Sequence, residues 1–124
     1  MKQIVAIGVG GAVGSVLRYG MSTWLYAVVG RGFPYGTLGV NVLGCLAMGF
    51  LFVMFLERFA DNAVWRAGML IGVLGGFTTF SSFSIETFNL IEQGEPFRAL
   101  ANVVLSVGLC IGATWLGVIL GRQL

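Results

Sequence analysis

The stretch that decides the fold is Gly75-Gly76-Phe77-Thr78-Thr79-Phe80-Ser81-Ser82-Phe83-Ser84, within an apolar run long enough to cross a membrane. Paired glycines and hydroxyls are unfavourable in a lipid-facing helix, because glycine lowers helix stability by about 1 kcal/mol relative to alanine and buried hydroxyls need partners. Broken backbone at membrane depth is tolerated only where protein or a water-filled cavity covers it. The paired glycines therefore predict an interrupted membrane helix at a pore or ion site, with a helix-packing seam as the alternative.

Four apolar stretches cover most of the 124 residues: 4–29, 36–56, 64–91 and 97–120. Each reaches the roughly 20 residues that span a bilayer core. The chain is 57% hydrophobic and only 10% charged, which is typical of a membrane protein rather than a soluble domain. We therefore predict one all-α transmembrane domain, residues 1–124, with four helices of which the third is broken near its middle.

The charge and the cysteine and histidine content reduce the number of functions that the chain can have. A net charge of +2 gives no argument for a nucleic-acid partner. Cys45 and Cys110 both fall inside predicted spans, so a disulfide framework is not expected. The chain has no histidine, which argues against a transition-metal site, and we expect no enzyme activity.

Two charged residues lie far inside predicted spans, Arg18 in the first and Glu86 in the third. Such residues usually face a bundle interior or an aqueous cavity. Arg18 has two interpretations, a vestibule position or a side chain that snorkels to the interface. Glu86 is either a proton or cation site or a helix-terminal acceptor.

Polar residues also mark the second and fourth spans. Thr37 and Asn41 share one helix face, and the Asn41 amide offers two N–H donors that could hold an anion. In the fourth span a polar residue recurs at every fourth position: Asn102, Ser106, Cys110 and Thr114. This stripe predicts either a water- or ion-lined path or a polar seam against another helix.

Phe80 and Phe83 are three residues apart and therefore lie on one side of a helix. Phenyl rings have a positive edge, so inward-facing edges could touch an anion without a hydrogen bond. Ordinary packing is the alternative, and the neighbouring hydroxyls favour the ion interpretation.

The distribution of Lys and Arg bears on how the chain inserts. With four spans, the termini and the middle loop share one side of the membrane, which collects Lys2, Arg58, Arg66 and Arg122. The other side collects Arg31 and Arg98, with Arg18 as a third if it is counted there. Because Lys/Arg asymmetry normally sets orientation, this near balance predicts insertion in both orientations.

Three blocks of sequence resemble the Fluc (CrcB) family of bacterial fluoride channels. They are GGAVGSVLRY at 10–19, PYGTLGVNVLG at 34–44 and GGFTTFSSFSIE at 75–86. Length, four spans and block order agree over essentially the whole chain. The third block is the most specific, and the fourth span is the least similar part.

The resemblance implies a fluoride-selective channel that passively exports fluoride from the cytoplasm and lowers its toxicity. It implies an antiparallel homodimer in a bacterial inner membrane, with a structural Na⁺ at the dimer centre held by the backbone carbonyls of Gly75 and Thr78. Arg18 would belong to an anion-attracting vestibule. The fluoride pore would be formed by Asn41, Phe80 and Phe83, with a polar track of Thr37, Ser81, Ser82, Glu86, Ser106 and Thr114.

Two other function classes compete with a passive channel. A small multidrug-type proton-coupled exporter also has four short spans and a membrane glutamate, although Glu86 among hydroxyls and phenylalanines is unlike a drug site. A membrane scaffold subunit predicts no ion flux at all. Fluoride efflux with and without a proton gradient separates the three.

Overall fold

Four long helices, each apolar enough to cross a membrane, account for most of the protein. The structure is a computed structural model that describes residues 1–124. Helix α1 is Lys2–Val29 and α2 is Tyr35–Glu57. The third span covers Ala63–Glu92, and the last helix is Pro96–Gln123. The expectation of four membrane helices, with the third broken, is therefore confirmed.

The third span is built from several pieces. It begins with α3 (Ala63–Arg66), continues as a π-helical stretch (Ala67–Leu74) and ends its first half with α4 (Gly75–Phe77). After two extended residues, α5 (Phe80–Glu92) completes the span. The last helix, Pro96–Gln123, is therefore α6.

The break lies two residues after the position that the paired glycines predicted. Gly75 and Gly76 are helical, whereas Thr78 and Thr79 have extended backbone, with ψ of 155° and 114°. We call Thr78–Thr79 the break. Gly76 serves close packing, because a Cβ there would lie 2.7 Å from the Gly11 carbonyl oxygen of α1.

Glycine contacts hold the helices together in two parallel pairs. Helix α1 packs on the first half of the third span, where Gly10 and Gly14 lie directly against the backbone at Gly68 and Val73. Helix α2 packs on α6 through Gly49 and Gly117 in the same way. The glycines at these positions therefore bring backbones together, as small residues do in membranes.

Gly108 and Gly112 of α6, four residues apart, form a ridge of small residues that behaves differently, because a Cβ added at either glycine would have no neighbour within 4 Å. Both residues lie on an exposed face of α6. Only 22 of the 124 residues are buried, so one subunit leaves most of its apolar helix surface for lipid or a partner.

Candidate ion site at the helix break

The side chain of Asn41 closes the break of the third span. Its Nδ2 donates to the Thr79 carbonyl oxygen at 2.9 Å, and its Oδ1 accepts from the Thr79 amide at 2.7 Å. This double contact replaces the helical hydrogen bonds that the extended backbone loses, which is required at membrane depth. One of the two N–H groups of the Asn41 amide is used in this contact, which leaves the other for an ion.

Thr79 also starts the second half of the span. Its hydroxyl accepts from the Ser82 amide at 3.1 Å, which is an N-cap contact for α5. The same hydroxyl donates to the Ser82 hydroxyl at 3.0 Å and lies 3.3 Å from that of Ser81. Ser81 and Ser82 thus form a hydroxyl cluster at the N-terminus of α5, where backbone N–H groups favour an anion.

Two phenylalanines follow this cluster on α5. The rings of Phe80 and Phe83 touch, with centroids 5.3 Å apart and planes tilted by 50°. Phe83 is buried at 9% exposure, whereas Phe80 is 76% exposed in the subunit. One ring therefore lies inside the subunit, and the other lies at its surface.

A cavity of about 320 Å³ joins these groups. Its walls come from α2, the break, α5 and α6, and they include Asn41, Phe80, Phe83 and Ser106. The structure thus brings four of the predicted pore residues to one place. Thr114 does not line this cavity, since its backbone carbonyl packs against Gly49 of α2.

The polar stripe of α6 begins as a seam against α5. Asn102 is 1% exposed and its Nδ2 donates to the Thr87 hydroxyl at 2.8 Å, while the Ser106 hydroxyl donates to Asn102 Oδ1 at 3.3 Å. Ser106 belongs both to this seam and to the cavity. The stripe is therefore a polar seam at Asn102, and at Ser106 it also reaches the cavity.

Glu86 lies in a second polar cluster with Thr37. The Thr37 hydroxyl donates to Glu86 Oε1 at 2.7 Å, and the Tyr26 hydroxyl donates to Oε2 at 3.4 Å. Tyr26 lies near the end of α1, where aromatic residues commonly serve as membrane-interface anchors. The sequence therefore offered no reason to expect it beside Glu86. A cavity of about 270 Å³ opens at Tyr26 and Glu86.

Arg18 makes a contact that neither of its two interpretations included. Its Nε donates to the Gly76 carbonyl oxygen at 3.2 Å, so it supports the glycine pair before the break. Arg31 lines the cavity at Glu86, with its guanidinium carbon 4.9 Å from the centre of the Tyr26 ring. The cation at the mouth of this polar cluster is therefore Arg31, and a vestibule role for Arg18 stays a prediction.

Two backbone carbonyls at the break lose their usual helical donors. The amide of Thr79, which would bond the Gly75 carbonyl in a continuous helix, donates to Asn41 instead. The amide of Ser82, four residues after Thr78, donates to the Thr79 hydroxyl. Carbonyl oxygens freed in this way are hard ligands of the kind that Na⁺ accepts.

Taken together, the break offers an N–H donor, hydroxyls and ring edges to an anion, and freed carbonyls to a cation. A strongly hydrated small anion needs such close donors to replace its water, and a site with little positive charge also lets the ion leave. This arrangement fits ion passage.

The family model described as "CrcB-like protein, Camphor Resistance (CrcB)" matches residues 5–118. The chain is 57% identical over 123 residues to a protein of Coxiella burnetii (strain Dugway 5J108-111) named fluoride-specific ion channel FluC, which covers 98% of this chain and 99% of that protein. It is 50% identical over 124 residues to a protein of the same name from Geobacter sulfurreducens, with both chains covered completely.

Proposed function

The chain belongs to the CrcB family, and from this premise we infer that it is a fluoride-specific ion channel. The observation that carries the inference is 57% identity along nearly the whole length of a protein named for that function. The family resemblance seen in the three sequence blocks is thereby confirmed, and the proton-coupled exporter is not favoured. The protein is a multi-pass membrane channel, not an enzyme, and fluoride efflux from liposomes tests this function.

We propose that fluoride passes through the cavity at the break. Asn41 supplies its remaining N–H, and the ring edges of Phe80 and Phe83 offer partial positive charge on the other side. Ser106 adds a hydroxyl to the same wall. No full positive charge lines this cavity, which supports passage over trapping because the ion must also leave.

Thr37, Glu86, Ser81, Ser82 and Thr114 complete the proposed track. The hydroxyls of Ser81 and Ser82 lie at the N-terminus of α5, beside the cavity. Thr37 and Glu86 mark a second station toward the Arg31 end of the molecule. Thr114 has weaker support, since it lies outside the cavity of a single subunit.

Replacing Phe80 or Phe83 with isoleucine should lower fluoride throughput about 3- to 10-fold each, because isoleucine keeps bulk but loses a ring-edge contact worth about 1 kcal/mol. Phe88→Ile is the matched control, since Phe88 is exposed on the same helix and lies outside the cavity. Efflux from liposomes measures the rates. Normal conduction in both variants would reduce the two phenylalanines to packing.

We propose that two subunits associate antiparallel. The cavity at the break is open, Phe80 is exposed and the Gly108/Gly112 ridge has no partner, so one subunit does not enclose a path. The near balance of Lys and Arg on the two sides allows both orientations. A two-fold axis in the membrane plane then brings the two breaks together near the midplane.

A structural Na⁺ fits this arrangement. The Gly75 and Thr78 carbonyls have lost their helical donors, and two copies would supply four oxygens around one cation without a carboxylate. The residues present therefore fit the ion, and its charge would hold the two breaks together.

Gly75→Ala tests the central contact. Within the subunit the added methyl would meet only the Leu70 carbonyl at 3.8 Å, an ordinary distance, so the subunit should fold. Between two breaks the methyl should interfere, and we expect a smaller dimer fraction and lower fluoride flux. Gly8→Ala is the control, because no atom lies within 4 Å of its added methyl. Equal dimer fractions in a cross-linking assay would exclude a close contact at Gly75.

The proposed physiological role is passive export of fluoride from the cytoplasm across the inner membrane of a bacterium, which lowers fluoride toxicity. A channel moves fluoride only down its electrochemical gradient, and a negative-inside potential favours the exit of an anion. Growth in fluoride is therefore a direct readout of the role.

A further inference from the structure

Two cysteines lie side by side in the cavity that contains the proposed pore residues. Cys45 of α2 and Cys110 of α6 both line it, together with Asn41 and Phe83. Both are free thiols, only partly exposed, and they lie in the wall of the same cavity on neighbouring helices. The proposed conduction mechanism uses neither of them.

Helix register keeps the two cysteines at the same level. Helices α2 and α6 run parallel, and Gly49 lies directly against the backbone at Thr114. Cys45 is four residues before Gly49 and Cys110 is four residues before Thr114, so each lies one turn back along its helix. Because a Cβ at Gly49 would overlap the Thr114 carbonyl, close backbone packing fixes the level of the pair.

We propose that Cys45 and Cys110 form a two-thiolate site for a soft, two-coordinate cation of the Hg²⁺, Ag⁺ and Cu⁺ class, and that its occupation blocks fluoride passage. Soft thiolate ligands select such cations. No third cysteine, histidine or carboxylate joins the pair. Four-coordinate Zn²⁺ would therefore be incompletely bound, whereas two sulfurs complete a linear site.

The binding step is a ligand exchange. With HgCl₂, two S–H bonds break and two S–Hg bonds form, while two protons and two chloride ions leave and no oxidation state changes. Metal coordination itself removes the thiol protons. The bound metal then occupies the wall of the cavity next to Asn41, where fluoride is proposed to pass.

Binding is tested on the purified protein titrated with HgCl₂ and measured by intact mass and free-thiol count. We expect one Hg per chain, with both thiols consumed at that stoichiometry. Two Hg per chain, each on its own thiol, would overturn the shared site. Cys45→Ser and Cys110→Ser should each bind Hg through one thiol and release it readily to a competing monothiol, unlike the unmodified protein.

Block is tested by fluoride efflux from liposomes before and after HgCl₂, and this part rests on the proposed function. In the unmodified protein we expect flux to fall about tenfold or more, because fluoride cannot pass through a narrow path that a bound metal ion occupies. In the double variant Cys45→Ser/Cys110→Ser, the rate of fluoride efflux should be the same before and after HgCl₂. One Hg per chain with undiminished flux would place the pair outside the path. Absent flux before HgCl₂ counts against the channel function, while the stoichiometry still decides the site.

Discussion

Asn41→Asp is expected to abolish fluoride flux in a protein that still folds. Two like unit charges about 4 Å apart, at an effective dielectric constant of about 20, repel each other by roughly 4 kcal/mol, which lowers passage about 1,000-fold. The aspartate keeps the oxygen that accepts from the Thr79 amide, so one of the two hydrogen bonds that close the break survives. Fluoride efflux from liposomes measures the loss, and size-exclusion profiles report folding.

Asn62→Asp is the matched control for this change. Asn62 caps the start of the third span by accepting from the Trp65 amide at 3.3 Å, and aspartate caps helices equally well. The two variants carry the same added charge, but only one carries it in the cavity. A folded Asn41→Asp protein with normal flux would remove Asn41 from the fluoride path, and equal losses in both variants would indicate a general charge effect.

Forcing the chain into one orientation should remove its function almost completely. Lysines added at the N-terminus strengthen the side that carries Lys2, Arg58 and Arg122, and short cytoplasmic segments rich in Lys and Arg set topology. If the working unit is antiparallel, a population with a single orientation cannot assemble it. Growth of a fluoride-sensitive strain in fluoride is the readout.

A second variant makes this experiment interpretable. Lysines placed in the 30–34 loop bias the chain the other way, and co-expression of the two variants should restore growth. Added glutamines at the same positions are the control for insertion length. Full growth from either lysine variant alone would contradict the antiparallel dimer and would equally remove the argument for a cation between two facing breaks.

The four spans were predictable because membrane helices need long apolar runs, which the sequence shows directly. The interruption in the third span was predictable for a similar reason, since glycines and hydroxyls are unfavourable in lipid. The position of the interruption was not predictable. The sequence pointed to Gly75 and Gly76, but both are helical, and Gly76 allows close contact with α1. The extended backbone falls at Thr78–Thr79, where Asn41 replaces the lost hydrogen bonds.

Contacts between distant helices account for the other differences. Arg18 was predicted either to snorkel or to lie in a vestibule, and its contact with the Gly76 carbonyl, 58 residues away in sequence, was not predicted. Tyr26 was not predicted to contact Glu86, because that contact depends on how α1 meets α5. Likewise Cys45 and Cys110 become neighbours only through the register of α2 and α6. Spacing along one helix carries no information of this kind.

The measurement that tests the central claim most directly is fluoride efflux from liposomes containing only this protein, followed with a fluoride-selective electrode. An imposed fluoride gradient, with valinomycin and K⁺ to balance charge, should drive rapid efflux whether or not a proton gradient is present. Chloride loaded in place of fluoride should stay inside. Efflux that requires a proton gradient, or no efflux beyond that of protein-free liposomes, would contradict a passive fluoride channel.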